Sequence, residues 1–400
     1  MLYLENNVYI VNGKVNAAFY DFNHGRLVHI SEAAKNLLHR VIGKESSLSQ
    51  QEREYLNSLS SLGLLTDKYT PPHEISDLRE KPIIDFVWVE VTTLCNLKCR
   101  HCYNESENLC GKIMPYDDFC YVVDELAAYG VRKIQLIGGE PLTLGDELIR
   151  YLDYLDGKFD YKEIFTNGTL LTDSLIAYIQ EHEIRIALSV YSYSADEHDK
   201  ITGQPGSWLK TNETIRKLRD YGIPYAVKNV LMKGTALGEK NTELYTLNPN
   251  KYVVRLTGRA SASLLTRELA RKRLITKKTL SRKLSIPFVK RCLSGHNCFS
   301  CRLYFACDMT VYPCVMERRI SHGNLRGQHL KDIINPEITG ISKDRIQECS
   351  ECEFRYCCHD CRPDSNGRGL TANNWYCTYD PLCGKWEDEE KFLDTLNLED

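Results

Sequence analysis

The sequence predicts an α/β fold centred on a parallel sheet, with a small α+β unit before it and a cysteine-rich segment after it. Three observations predict this. Between residues 82 and 285 short apolar runs alternate with amphipathic helical stretches. Ahead of them, apolar runs of strand length are split by turn residues. Behind them lie most of the chain's 17 cysteines. The 400 residues suffice for two or three domains, and 42% hydrophobic with 26% charged residues is a globular composition that supplies a sizeable core. A net charge of −3 gives no general attraction for nucleic acid or membrane surfaces. No apolar stretch has the length of a membrane span, and the N-terminus lacks the basic and apolar regions of a secretion signal. A cytoplasmic protein without nucleic-acid or membrane partners is expected.

Residues 1–75 form the first expected unit. The runs 8–11, 15–21 and 27–30 read as strands, with Asn12-Gly13 and His24-Gly25 as their turns. Ser31 is placed to cap a helix whose apolar stripe is Ala33, Leu37, Leu38 and Val41. A second helix follows Ser49, and Leu56, Leu59, Leu62, Leu64 and Leu65 close the unit. Pro71-Pro72 opens a linker.

The second unit, 82–285, reads as strands at 87–91, 133–137, 162–165, 185–190 and 225–232, with 252–256 as a sixth. Helices are expected at 116–129, 146–155, 173–182 and 208–221. The run 267–291 is strongly basic, opposed by Glu268 alone, and reads as a solvated surface helix; contact with an acidic peptide segment is the other reading.

Directly after the first of these strands stand Cys95, Cys99 and Cys102, spaced C-x₃-C-x₂-C. Three thiolates on one loop can hold three irons of a [4Fe–4S] cube and leave the fourth open, where a cosubstrate can bind. Zinc also suits thiolates but favours paired C-x₂-C knuckles. One βα unit later comes Gly138-Gly139-Glu140-Pro141: glycines let a ligand approach the backbone, and a carboxylate can neutralise an ammonium. Loop and turn together resemble the radical SAM superfamily. The resemblance implies a partial (β/α)₆ TIM-type barrel with its site at the C-terminal strand ends, as in barrels generally. It also implies S-adenosylmethionine (SAM) chelated to the open iron and cleaved by one electron to a 5′-deoxyadenosyl radical. Gly138, Gly139, Glu140 and Pro141 would bind the methionyl end, His101 would meet the adenine, and Ser189 would supply a polar contact. Asn167, in Thr166-Asn167-Gly168, lies on the same rim, although a structural turn explains it equally well. The segment 196–203 resembles one common beside SAM in this superfamily, with no chemistry assigned.

In a reducing cytosol, thiols in such groupings are metal ligands more often than disulfides. The tail, 286–400, orders Cys292-x₅-Cys298, Cys314, Cys349-x₂-Cys352-x₅-Cys358-x₂-Cys361 and Cys377. This resembles the SPASM domain, which implies two auxiliary [4Fe–4S] clusters and three in all. By that resemblance auxiliary cluster I takes Cys292, Cys298, Cys314 and Cys361, and auxiliary cluster II takes Cys349, Cys352, Cys358 and Cys377. Cys357 competes with Cys358 for its place, and zinc knuckles are the alternative for the whole tail. The SPASM pattern has Gly where Met309 stands, so the turn before Cys314 is expected to be built differently. Cys110, Cys120, Cys301, Cys307, Cys357 and Cys383 are left over and read as buried free thiols.

Residues 1–75 resemble the winged-helix, PqqD-like element that captures peptide leaders on a strand edge. A DNA-binding winged helix is the alternative, but acidic and basic residues balance there. The combined resemblance implies a peptide maturase of ribosomally made precursors, installing a thioether or a C–C crosslink, with flavodoxin or ferredoxin as electron donor. An anaerobic sulfatase-maturating enzyme forming formylglycine, an enzyme forming an amine-dehydrogenase crosslink or a peptide epimer, and a non-catalytic peptide-binding subunit are the rival readings. No catalytic acid or base is named by the sequence; Asp308 is a candidate by position alone.

Overall fold

The computed structural model describes residues 1–106, 111–251, 253–280 and 283–398. Two compact units are present. One comprises 1–82, 274–300 and 340–395; the other comprises 83–273 and 301–339 together with the last residues.

The first unit opens with β1 (Tyr3–Leu4), β2 (Val8–Asn12), β3 (Ala17–Asp21) and β4 (Arg26–Ile30), then α1 (Glu32–Val41), α2 (Gln50–Ser61) and β5 (Leu65–Thr66). β2, β3 and β4 form an antiparallel meander, and β1 pairs with β5. Ser31 caps α1 by accepting from the Ala34 N–H, and Ser49 with Glu52 forms a reciprocal capping box on α2. Side chains alternate across a strand. Hence Val8, Ala17, Phe19 and Ile30 pack on Leu37, Leu38, Leu56 and Leu59 of the helices. The other face, Tyr9, Val11, Ala18 and Tyr20, packs on Val289, Leu293, Phe354 and Tyr379. Covered on both faces, β3 is buried at every position.

The second unit carries β6 (Phe86–Thr92), α3 (Tyr116–Tyr129), β7 (Lys133–Gly138), α4 (Glu147–Asp153), β8 (Tyr161–Thr166), α5 (Asp173–Glu181), β9 (Arg185–Ser189), α6 (Ala195–Thr202), α7 (Ser207–Asp220) and β10 (Tyr225–Lys228). β11 (Arg302–Phe305), β12 (Thr310–Tyr312) and β13 (Gly323–Asn324) complete an eight-stranded sheet, β10-β9-β8-β7-β6-β11-β12-β13. Strands β6 to β10 are parallel, β11 joins β6 in parallel, and β12 and β13 are antiparallel. The result is the expected partial α/β barrel. Val87, Val89, Ile134, Leu136, Ile164 and Ile186 point to the helices and pack on Phe119, Val122, Leu126 and Ile176. The register puts Trp88, Gln135, Glu163 and Arg185 side by side on the opposite face.

Three expectations need adjustment. The sixth strand at 252–256 is reduced to an isolated parallel bridge between Leu231 and Val253, and Tyr252 lies outside the described residues. The divisions 1–75, 82–285 and 286–400 are crossed by the compact units: 301–339 extends the barrel sheet through β11, whereas 274–300 and 340–395 pack with the N-terminal meander. The basic run forms the short helices Arg267–Arg273 and Lys277–Leu280 and the start of Ile286–Ser294, with Arg282 outside the described residues.

Candidate active site at the strand ends

The cysteine loop leaves the C-terminal end of β6 and is held from both sides. Behind it, the Lys98 and Arg100 N–H groups donate to the Thr202 and Ile201 carbonyls at the end of α6, at 2.9 and 3.0 Å. In front, Arg259 donates through Nε to the Cys99 carbonyl at 3.0 Å and through both terminal nitrogens to the Ser106 carbonyl at 3.3 Å. Its own N–H reaches the Cys102 carbonyl at 3.0 Å. Gly258 has φ +60°, and a Cβ there would stand 2.5 Å from the Cys102 and Tyr103 carbonyls, so only glycine lets Arg259 come so close. Sequence reasoning missed both residues. The Gly-Arg pair just after the weak sixth strand was the available signal.

The glycine turn lies alongside. A Cβ on Gly139 would meet the Leu94 carbonyl at 2.2 Å, and one on Gly138 the Thr92 carbonyl at 2.3 Å. Glu140, 1% exposed, accepts from the Asn167 N–H at 2.6 Å, the Thr166 hydroxyl at 2.5 Å and the Leu142 N–H at 3.0 Å. Burial pushes its carboxyl up to about 7, against these donors. Glu140 therefore ties the end of β7 to the end of β8. Asn167 extends the tie, donating to Asn96 of the cysteine loop at 2.9 Å, while Asn96 donates to Thr169 at 2.7 Å. Pro141 starts a short 3₁₀ turn, and Ser189 ends β9, half-buried and in register with Lys228 of β10.

Cys95, Cys99 and Cys102 sense one another's charge; burial pushes the Cys95 thiol up to about 12 and Cys99 higher still. His101 packs edge-on against Tyr191 at 4.8 Å, and Tyr191 stacks on His198. Burial lowers His101 to about 4, so its imidazole is neutral, and its buried Nδ1 has no hydrogen-bond partner. The segment 196–203 turns out to be a brace. Its helix α6 supplies the two carbonyls beneath the loop, and Asp199 accepts from Ser207, Gly206 N–H and Trp208 N–H to cap α7.

Among the described residues no three His, Cys, Asp or Glu side chains stand close enough to hold a single metal ion. The fit to a three-thiolate cluster and SAM rests instead on the soft donor set of the loop and the orphaned polar atom of His101, with Gly138 and Gly139 letting their turn close directly onto the Thr92 and Leu94 carbonyls beside that loop. These residues fit such a group.

In the N-terminal and tail unit, Cys358 is buried and Cys349, Cys352 and Cys377 are half-buried, and Cys349, Cys352 and Cys377 each feel the charge of Cys358. Lys343, 7% exposed, donates to Cys358 Sγ at 3.3 Å. Four soft donors around a buried cation fit a thiolate-bound cluster. Cys357 packs in the apolar cluster of the same unit. Of the other expected set, Cys298 and Cys361 lie on segments clamped by Asn297, which exchanges hydrogen bonds with Asp360 at 2.9 and 3.1 Å, and by the His296–Asp360 ion pair at 3.1 Å. Cys292 packs with Cys352, Cys357 and Cys377, while Cys314 follows β12 in the barrel unit. Cys301 and Cys307 are buried, as expected of core thiols. Cys120 is half-buried and Cys383 exposed, against expectation, because each sits on a solvent-facing turn or helix side; Cys110 lies outside the described residues. Met309 occupies the left-handed region, φ +68°, so it takes a glycine's conformation and no different turn is built. Asp308 is exposed and accepts from the Thr310 N–H to close that turn.

Residues 89–242 match the family model of the radical SAM superfamily. The chain carries a radical SAM domain. Over 136 residues it is 33% identical to the antilisterial bacteriocin subtilosin biosynthesis protein AlbA of Bacillus subtilis, covering 34% of this chain and 30% of that protein. Over 148 residues it is 31% identical to the AdoMet-dependent heme synthase of Methanosarcina barkeri, covering 36% and 42%. The matched stretch thus spans less than half the length of these curated relatives. Among solved structures, anSMEcpe with bound AdoMet and Cp18Cys peptide superposes with TM-score 0.56 at 18% identity, over 78% of this chain and 96% of that one. SuiB of Streptococcus suis bound to precursor peptide SuiA gives 0.55 at 13%, over 91% and 96%. These likenesses show a fold shared with those structures over most of the chain.

Proposed function

We propose that this protein is a radical SAM peptide maturase that crosslinks a ribosomally made precursor, most simply through a thioether. The observation that carries the proposal is the clamped loop: three thiols at the strand ends, Cys95 buried and Cys99 and Cys102 half-buried, fixed by Arg259 and by α6 and packed against the glycine turn. Cys95, Cys99 and Cys102 would hold a [4Fe–4S] cluster with one open iron, which when bound would supply the one-electron reduction of SAM that begins hydrogen abstraction from a substrate carbon. Gly138 and Gly139 let the turn close onto the cysteine loop, Glu140 holds the Asn167 turn in place, and the unpartnered His101 Nδ1 would be the acceptor open to the nucleoside end. Each bridge removes two hydrogens from the substrate. One would leave as an atom to the nucleoside, the other as a proton plus an electron, for which an auxiliary cluster held by the tail cysteines would be the acceptor; flavodoxin or ferredoxin would supply the reducing electron.

A peptide substrate is supported by the likeness to SuiB, which covers 91% of this chain against 78% for anSMEcpe. It is supported too by the N-terminal meander. β2 is an edge strand whose Val8 and Asn12 carbonyls are met by His73 and Arg355, and a groove of about 260 Å³ between the meander and α1 is lined by Ile10, Ile30, Leu38, Lys35 and His39. An extended leader could add there as a further strand. Formylglycine formation is the second reading, favoured by the fold shared with anSMEcpe. The test is anaerobic co-expression with a short open reading frame adjoining the gene, followed by mass spectrometry with and without iodoacetamide. Loss of two hydrogens per bridge with cysteines protected from alkylation is expected. The same loss with free thiols means a C–C crosslink, and an unmodified peptide with SAM cleavage intact contradicts precursor maturation.

A further inference from the structure

Lys343 is a fully enclosed cation among thiols. It begins a short 3₁₀ turn, Lys343–Arg345, capped by Ser342. The neighbouring carboxylate, Asp344, is turned away from it and engaged by Arg355 Nε at 3.0 Å, the Tyr356 hydroxyl at 2.8 Å and Arg79 at 3.5 Å. The nearest other carboxylate, Asp360, is engaged by Arg362, by Asn374 at 3.0 Å and by His296 at 3.1 Å. Among the described residues the one hydrogen bond of the Lys343 ammonium goes to Cys358 Sγ, at 3.3 Å, and its field also reaches Cys349, the Asp360 carboxylate and Cys377.

A buried ammonium is costly unless paired. A neutral thiol is a weak acceptor and repays little of that cost. Four thiolates around a [4Fe–4S] core, by contrast, leave a doubly negative assembly, and hydrogen bonds and positive charge at the sulfurs set its reduction potential. The inference rests on the reading of Cys349, Cys352, Cys358 and Cys377 as one ligand set. We propose that Lys343 is the built-in countercharge of that auxiliary cluster, donating to the Cys358 sulfur and raising the cluster's potential so that it accepts the electron released by substrate oxidation.

The test uses the full-length reconstituted chain in a Cys95→Ala/Cys99→Ala/Cys102→Ala background, which silences the SAM site. The auxiliary centre is identified as the paramagnetic signal lost in Cys377→Ala, and its midpoint potential is followed by redox titration. Lys343→Met is expected to shift that midpoint to lower potential, and Lys343→Arg to keep it near the parent's. Loss of that centre's iron in the Met variant but not in the Arg variant also supports the inference, since charge rather than volume is then what the cluster needs. An unmoved midpoint at full iron content in Lys343→Met overturns it, as does equal loss of iron in both variants. If the parent shows no Cys377-dependent centre at all, the underlying ligand set falls, a result distinct from an unmoved potential.

Discussion

Glu140 is the residue whose position decides most about the site, and its environment makes a pH prediction. Its carboxyl is raised from 4.5 to about 7 by burial. The folded chain therefore holds a proton between those values that the unfolded chain has released. Stability from this group is full below about pH 4.5, falls as pH rises towards 7 and is flat beyond, by about 3 kcal/mol at most. Thermal unfolding of the parent should decline from pH 5 to 8 relative to Glu140→Gln; parallel pH profiles would show that the carboxyl is not raised. Arg259 is the second deciding residue, since its guanidinium donates to the Cys99 and Ser106 carbonyls in and after the cysteine loop. Arg259→Ala should lower the iron held at that loop and the yield of 5′-deoxyadenosine together, each several-fold, as read by iron analysis of a variant lacking the tail ligands and by chromatography. Unchanged iron content would make Arg259 a bystander.

At the scale of elements, α6 and the β11–β12 turn show where local sequence rules were overridden. Asp199 receives two backbone N–H groups and one hydroxyl at the start of α7, so a residue inside α6 caps α7. Asp199→Ala should cost about 2 kcal/mol, the range for a charged cap with several donors, and lower the unfolding temperature by several degrees. A shift of under one degree would contradict the bracing role. The segment 196–203 attracted attention as a sequence pattern, yet its contribution is backbone carbonyls beneath the cysteine loop, which no side-chain motif reveals. Met309 makes the complementary point. Its left-handed backbone costs about 1 kcal/mol, while its side chain is 2% exposed in the core and contributes about 2 kcal/mol. Met309→Gly is accordingly expected to destabilise the chain by roughly 1 kcal/mol despite relieving the backbone, and a higher melting temperature for the glycine variant would reverse that balance.

For the molecule as a whole, the barrel was legible because short strand-length segments, 87–91 apolar but for Glu90 and 133–137 carrying Ile134, Leu136 and Ile137, recur between helices with clear stripes. The cysteine loop and glycine turn were legible because their chemistry needs fixed residue types at fixed spacing. Arg259 and Lys343 were not, since both act from positions distant in sequence through contacts that only the folded chain makes. The grouping of units was hidden for the same reason: Tyr9, Val11 and Tyr20 look like the ordinary outer face of a small sheet until Phe354 and Tyr379 cover them. No helix among the described residues is long and apolar enough to cross a membrane. The central claim is the chemistry at the clamped loop, and its most direct test is 5′-deoxyadenosine release by the anaerobically reconstituted chain given SAM and dithionite. The parent is predicted to form it and Cys99→Ala to form none. A parent that binds iron at Cys95, Cys99 and Cys102 yet releases no 5′-deoxyadenosine would contradict the account and leave a peptide-binding protein in its place.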